Sequence, residues 1–162
     1  MAAPAAAISN AQAPQHDQDN AYLGDDACRS CHADKVKSFH QTAHYATSEM
    51  PDEKTIRGSF AAGNNVLKTG NPGLFFRMEE RSVDGKTEFF QTAVHGTPPL
   101  TNERSEQFAF VVGSGEKGQT YLYWTGDELF ELPVSYWKDL GWVNSPGFPD
   151  GMAFFGRPIV PR

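Results

Sequence analysis

Two cysteines in 162 residues leave no room for a disulfide framework or a four-thiolate metal site. No run of 18 or more apolar residues occurs, so nothing in the chain reads as a membrane span. Basic residues are also few: 14 Lys and Arg stand against 20 Asp and Glu, for a formal net charge of -6. With no long basic run, that balance argues against nucleic acid or an anionic membrane surface as partner, and it permits a basic protein partner. No internal repeat is visible, and no Ser/His/Asp or paired-carboxylate constellation stands out. What the chain does have is aromatic residues: 12 Phe, 5 Tyr and 3 Trp. At this length it reads as one domain, residues 21–162, behind a disordered Ala/Gln/Asn-rich tail, residues 1–20.

The two cysteines lie together in Cys28-Arg29-Ser30-Cys31-His32. This is C-x-x-C-H, the attachment signature of a c-type haem. The spacing follows from the chemistry. Two thiols one helical turn apart can add to the two vinyl groups on one edge of a haem, and the next residue offers an imidazole to the iron. Cys28 and Cys31 are therefore the expected covalent haem sites, and His32 the expected proximal ligand. Two other readings of C-x-x-C remain open. A dithiol redox pair usually follows a strand in a βαβ unit, which is not evident here. Zinc needs four ligands, and no second cysteine pair supplies them.

The segment 25–49 is expected to be helical, with Asp25 or Asp26 as cap. Val36, Phe39, His40 and Ala43 follow an i, i+3, i+4, i+7 rhythm, and His32 lies one turn before Val36 on the same stripe. Met50-Pro51 ends it. Residues 51–73 are rich in loop signals. Beyond them Leu74, Phe76 and Met78 alternate with Phe75, Arg77 and Glu79, which predicts a strand. Asp84-Gly85 predicts a hairpin turn, with Thr87 to His95 as the return strand and Thr97-Pro98-Pro99 as its end. Gln107 to Val112 reads as another strand, and Gln119 to Trp124 pairs with Glu128 to Leu132 across Thr125-Gly126-Asp127. The last thirty residues are Gly/Pro/aromatic-rich and read as loop. The expected fold class is α+β: a haem-bearing N-terminal helix packed on a small antiparallel β-sheet, with a loop-rich C-terminal part.

Three histidines are candidates for the far side of the iron: His40, His44 and His95. On a continuous helix His40 lies about 12 Å and His44 about 18 Å along the axis from His32, at about 1.5 Å per residue. Two axial nitrogens must face each other across one iron only about 4 Å apart. His95, expected at a strand end, escapes that constraint and is favoured as distal ligand. The plainer readings are a half-buried core residue for His40 and a solvated one for His44. Methionine ligation by Met50, Met78 or Met152 stays open. Gly113-Ser114-Gly115-Glu116-Lys117-Gly118 matches G-x-G-x-x-G, but the next segment is β-like. A dinucleotide site needs a helix there, so a glycine-rich β-turn is the better reading.

The stretch from Tyr22-Leu23-Gly24 through Cys28–His32 to Phe39-His40-Gln41-Thr42-Ala43-His44 resembles the first haem-binding segment of multihaem c-type cytochromes. It is similar to the tetrahaem class associated with ammonia oxidation and its larger relatives. The later stretches Phe110 to Gly115, Gln119 to Leu122, Leu132 to Tyr136 and Trp142 to Phe148 also resemble these proteins. The resemblance implies thioether bonds at Cys28 and Cys31, a proximal His32, and a His44 that serves a neighbouring haem. Such proteins reach a second C-x-x-C-H soon after the Pro/Gly-rich segment, which this sequence does not. The resemblance therefore implies the N-terminal haem segment of a truncated member, or a single-haem variant.

The functional expectation is an electron-transferring c-type cytochrome domain with one haem c. Its partner would be a redox protein or a neighbouring haem domain. The alternative is a haem-dependent redox enzyme or sensor with an open distal position. Attachment of c-type haem outside the bacterial cytoplasm implies a periplasmic or otherwise exported protein. Ala11-Gln12-Ala13 has the shape of a signal-peptidase site, although no basic segment or apolar stretch accompanies it.

Overall fold

The computed structural model describes residues 23–159. The expectations of a disordered tail and an export-signal remnant lie outside that range. The chain divides into two compact units, one ending at Lys37 and the other beginning at Ser38. The fold class is α+β.

In the first unit a 3-10 turn, Asp25–Cys28, leads into the helix α1, Arg29–His40, whose last turn belongs to the second unit. Neither aspartate caps the turn. The N-cap position is Gly24, with no side-chain cap hydrogen bond, and both acids lie in the first turn, where the helix dipole favours negative charge. Asp26 pairs with Arg29 at 2.5 Å on the exposed surface.

The helix is shorter than the sequence predicts. Gln41 N–H bonds to the Ser38 carbonyl and Thr42 N–H to that of Phe39, tight i→i−3 bonds that close the last turn. The Thr42 hydroxyl also donates to the Phe39 carbonyl. After a second 3-10 turn, Tyr45–Thr47, the chain enters a short strand β1, Ser48–Glu49. Its pairing with Val111 and Val112 outweighs whatever helical tendency residues 45–49 carry.

The second unit holds two antiparallel sheets rather than one small one. The four-stranded sheet runs β2 (Val66–Lys68), β3 (Leu74–Val83), β4 (Lys86–Thr97) and β5 (Leu100–Gln107) in that order. Asp84 and Gly85 form the predicted two-residue turn between β3 and β4, with φ of 50° and 77°. Positive φ at both central residues matches the right-handed twist of the flanking strands. Pro98-Pro99 does end β4, as expected, but it is also a two-residue turn into β5, with Thr97 opposite Leu100.

The six-stranded sheet contains β1, β6 (Phe110–Val112), β7 (Gly118–Thr125), β8 (Glu128–Glu131), β9 (Val134–Trp137) and β10 (Gly141–Asn144). β7 is its axis. It pairs with β6 on one edge and with β8 and β9, in turn, on the other. The turn at Gly126-Asp127 falls where predicted, with Thr125 opposite Glu128. The glycine-rich run is the β6–β7 connection, followed by a strand and not by a helix. Gly113 there has φ +106°, and a Cβ would lie 2.7 Å from the Gly118 carbonyl oxygen.

The two sheets share one apolar core. β3 supplies Leu74, Phe76 and Met78, β4 supplies Phe89 and Ala93, and β6, β7, β9 and β10 supply Val111, Tyr121, Tyr123, Val134 and Trp142. The Gln91 amide, fully buried, links the sheets: it donates to the Val134 carbonyl at 3.1 Å and accepts from the Val134 N–H at 3.0 Å. Gln119 fastens the strandless segment before β2, accepting from Arg57 N–H at 2.8 Å and donating to the Thr55 carbonyl at 2.8 Å. Trp142 holds the same segment through its Nε1–H bond to Ser59 at 2.8 Å. Gly58 lies against the indole, where a Cβ would come within 2.1 Å of the ring, so only glycine fits.

Candidate haem-attachment site

Cys28 ends the 3-10 turn, and Cys31 and His32 lie in the first turn of α1. The C-x-x-C-H motif therefore spans consecutive helical turns, as its spacing requires. All three side chains are exposed. Both cysteines are free thiols. The Ser30 hydroxyl lies 3.8 Å from the Cys31 Sγ. At His32 the backbone leaves the helical region, with φ −131° and ψ 41°, so the helix is interrupted at the residue whose imidazole follows the second thiol.

This donor set fits a covalent haem. Thioether formation requires sulfur atoms that are not paired with each other and that the vinyl carbons can approach, and Cys28 and Cys31 form no disulfide and are solvent-accessible. Axial ligation requires an imidazole nitrogen not already committed, and none of the described hydrogen bonds or ion pairs engages His32. Among the described residues no group of three or more His, Cys, Asp or Glu is arranged to hold a metal ion. That bears little on haem, whose thioether sulfurs bond to carbon and whose iron asks only one nitrogen of His32 on that face.

The predicted apolar stripe is only partly buried. Val36 is the buried residue of α1, Phe39 is 44% exposed, and His32 and Ala43 are exposed. The helix is too polar to present a continuous apolar face: Arg29, Ser30, Asp34, Lys35, Lys37 and Ser38 occupy half of it.

The three distal candidates have different surroundings within the second unit. His40 is half-buried and stacks on Tyr45, ring centroids 4.0 Å apart and planes 21° from parallel, with the Tyr45 ring edge-on to Phe39 at 5.4 Å. His44 is exposed, in the turn after the helix, and its carbonyl accepts the Thr47 hydroxyl at 2.8 Å. The pair has H-x-x-x-H spacing, but α1 stops at His40, so the two rings do not share a helical face. His95 is exposed near the end of β4, opposite Leu74 on β3 and Asn102 on β5.

No family model, curated protein or solved structure matches this chain.

Sequence reasoning missed β1, β2, β5, β9 and β10, and with β2 it missed a recess lined by Val66, Lys68 and Phe75. Val66-Leu67-Lys68 does alternate, between Asn64-Asn65 and Gly70-Asn71-Pro72-Gly73, but three residues are too few to read as a period.

Proposed function

We propose that this chain is a c-type cytochrome domain that carries electrons on one covalently attached haem. The observation that carries the reading is the C-x-x-C-H run on an exposed helical turn, with two free thiols and an imidazole not engaged elsewhere. Cys28 and Cys31 would hold the haem edge by thioether bonds, and His32 would supply the proximal nitrogen. When bound, the iron supplies a one-electron couple set by its axial ligands, hydrogen bonds and burial. The chain's part is to fix the position of that group and leave an edge open to a partner. The partner is a redox protein or a neighbouring haem domain, and the protein is exported, where such haem is attached. The formal charge of -6 suits a basic redox partner. Among the described residues no helix is long and apolar enough to cross a membrane.

His95 remains the favoured distal ligand. His40 is the weakest of the three, because its ring is already stacked on Tyr45.

The test is an oxidised and reduced optical spectrum of the chain exported from a host with cytochrome c maturation, followed by haem staining after denaturing electrophoresis. Haem that stays with the denatured chain, with low-spin bands insensitive to carbon monoxide, is the expected result. Covalent haem with high-spin bands that shift with carbon monoxide would replace the carrier by an enzyme or sensor. Absence of covalent haem would overturn the proposal.

A further inference from the structure

The four-stranded sheet carries a second feature, independent of the haem motif. β2 pairs with β3 so that Lys68 lies opposite Phe75 and Val66 opposite Arg77. Leu67 and Phe76, between them, turn to the core. Alternation therefore sets Val66, Lys68 and Phe75 on the outer face. Together with Pro72 and Leu74 they line a recess of about 560 Å³. That lies within the usual range for small-molecule sites.

The wall of this recess is held rigidly. The Thr69 hydroxyl lies 2.8 Å from the Leu74 carbonyl and 3.1 Å from that of Asn71. The Asn71 side-chain oxygen accepts the Gly73 N–H at 3.0 Å. From outside, Asp150 accepts the Gly70 N–H at 3.0 Å, and the Gly73 carbonyl accepts the Gly96 N–H at 2.8 Å. A turn tied on both sides pays little ordering cost when a ligand enters.

Lys68 is the one charged residue in the lining. The neighbouring cation Arg77 is committed to Glu79 at 3.0 Å and Glu103 at 3.2 Å. None of the ion pairs among the described residues includes Lys68. An apolar recess with a single unneutralised ammonium selects a flat or alicyclic body bearing one negative group.

We propose that this recess binds a small aromatic or alicyclic carboxylate, its ring against Val66, Pro72 and Phe75 and its carboxylate on Lys68. Phosphate esters are a poorer match, because Lys68 is the one charged residue in the lining and Arg77 nearby is held by Glu79 and Glu103.

The test uses the purified full chain and three probes of equal size: naphthoate, naphthalenemethanol and naphthylmethylamine. Affinities come from calorimetry, and the site from backbone amide shifts. Naphthoate is expected to bind tightest, with the shifts centred on residues 66–75. Lys68→Met should weaken naphthoate about tenfold, the loss of one charge-assisted contact, and leave the neutral alcohol unchanged. Val66→Trp, at a half-exposed position, fills the recess and should abolish binding of all three. An anion preference that survives Lys68→Met, shifts centred elsewhere, or no naphthoate binding at millimolar concentration would overturn the assignment. None of these readouts depends on whether haem is attached.

Discussion

Across the twelve residues of α1 only Val36 is buried, whereas β3 buries Leu74, Phe76 and Met78 in its first five residues. The helix carries the motif on which the functional reading rests, and the sheets carry the packing. The difference is physical. Covalent attachment of a large cofactor needs thiols that can be reached, so the residues that would do the chemistry stay exposed. A β-core needs the opposite, side chains withdrawn from water on one face of every strand. Residues proposed for attachment and residues serving stability are therefore distinct sets, and substitutions should separate them.

The largest separation is expected from replacing Cys28 and Cys31 together by Ser. Haem stain on the denatured chain should fall to background. Urea unfolding of the haem-free chain should shift by no more than about 0.5 kcal/mol, since both side chains are on the surface. His32→Ala should leave the thioether bonds in place and convert the reduced spectrum to one that responds to carbon monoxide. A large loss of stability in the haem-free double variant would mean that the motif belongs to the core after all.

The converse substitution is Phe76→Ala. Phe76 is 1% exposed and lies at the centre of the shared core. Removing the ring leaves a cavity and should cost about 3–5 kcal/mol, read as a fall in the urea midpoint. In any molecules still folded, the thiols of Cys28 and Cys31 should keep their wild-type reactivity toward a water-soluble maleimide.

Gln91→Leu tests a subtler part of the sheet region. The substitution keeps the volume close but strands the Val134 N–H and carbonyl, both of which the amide now satisfies. Two backbone groups left without partners in a dry interface should cost about 1–3 kcal/mol. Amide exchange at Val134 should rise more than at Tyr121. Equal acceleration at both would assign the loss to general loosening rather than to the lost bridge.

The same contrast explains what could be read from the sequence. β3 was legible because Leu74, Phe76 and Met78 alternate with more polar neighbours, and the β3–β4 turn because Asp84-Gly85 is nearly diagnostic of its type. β5 was not, because Leu-Thr-Asn-Glu-Arg-Ser-Glu-Gln has no apolar period: it is an edge strand, exposed along almost its whole length. β9 and β10 were hidden among Trp, Pro and Gly, where tertiary pairing rather than propensity selects the strand. The helix was read too long, because the rhythm of Val36, Phe39, His40 and Ala43 says nothing of the Thr42 hydroxyl on the Phe39 carbonyl, or of β6 as a partner for Ser48-Glu49. The C-x-x-C-H run itself was fully legible, since five adjacent residues define it. The surroundings of His40, His44 and His95 were not, because they depend on how distant segments pack.

The smallest expected effect lies on the outer face of the four-stranded sheet. Glu79 accepts from Thr92 at 2.5 Å and Arg81 at 2.6 Å, and pairs with Arg77 at 3.0 Å. Partial burial pushes its carboxyl pKa up, but the hydrogen bonds from Thr92, Arg81 and Arg77 and the charge of Arg77 outweigh that and hold it below the ordinary value. A carboxylate with a lowered folded pKa stabilises the fold at pH values above its unfolded pKa, about 4.3 for Glu. That contribution is lost as pH falls through the folded value. Glu79→Gln should therefore cost under about 1 kcal/mol at neutral pH, as befits a partly solvated network. Its urea midpoint should converge on the wild-type one as the solution is acidified below about pH 4. A gap that persists unchanged into acid would mean that Glu79 holds the strands by shape and neutral hydrogen bonding, and that its charge contributes nothing. The sheet region would then owe its stability to packing and to hydrogen bonds that do not depend on charge, such as the Gln91–Val134 bridge, and its contrast with the exposed, polar helix would be sharper still.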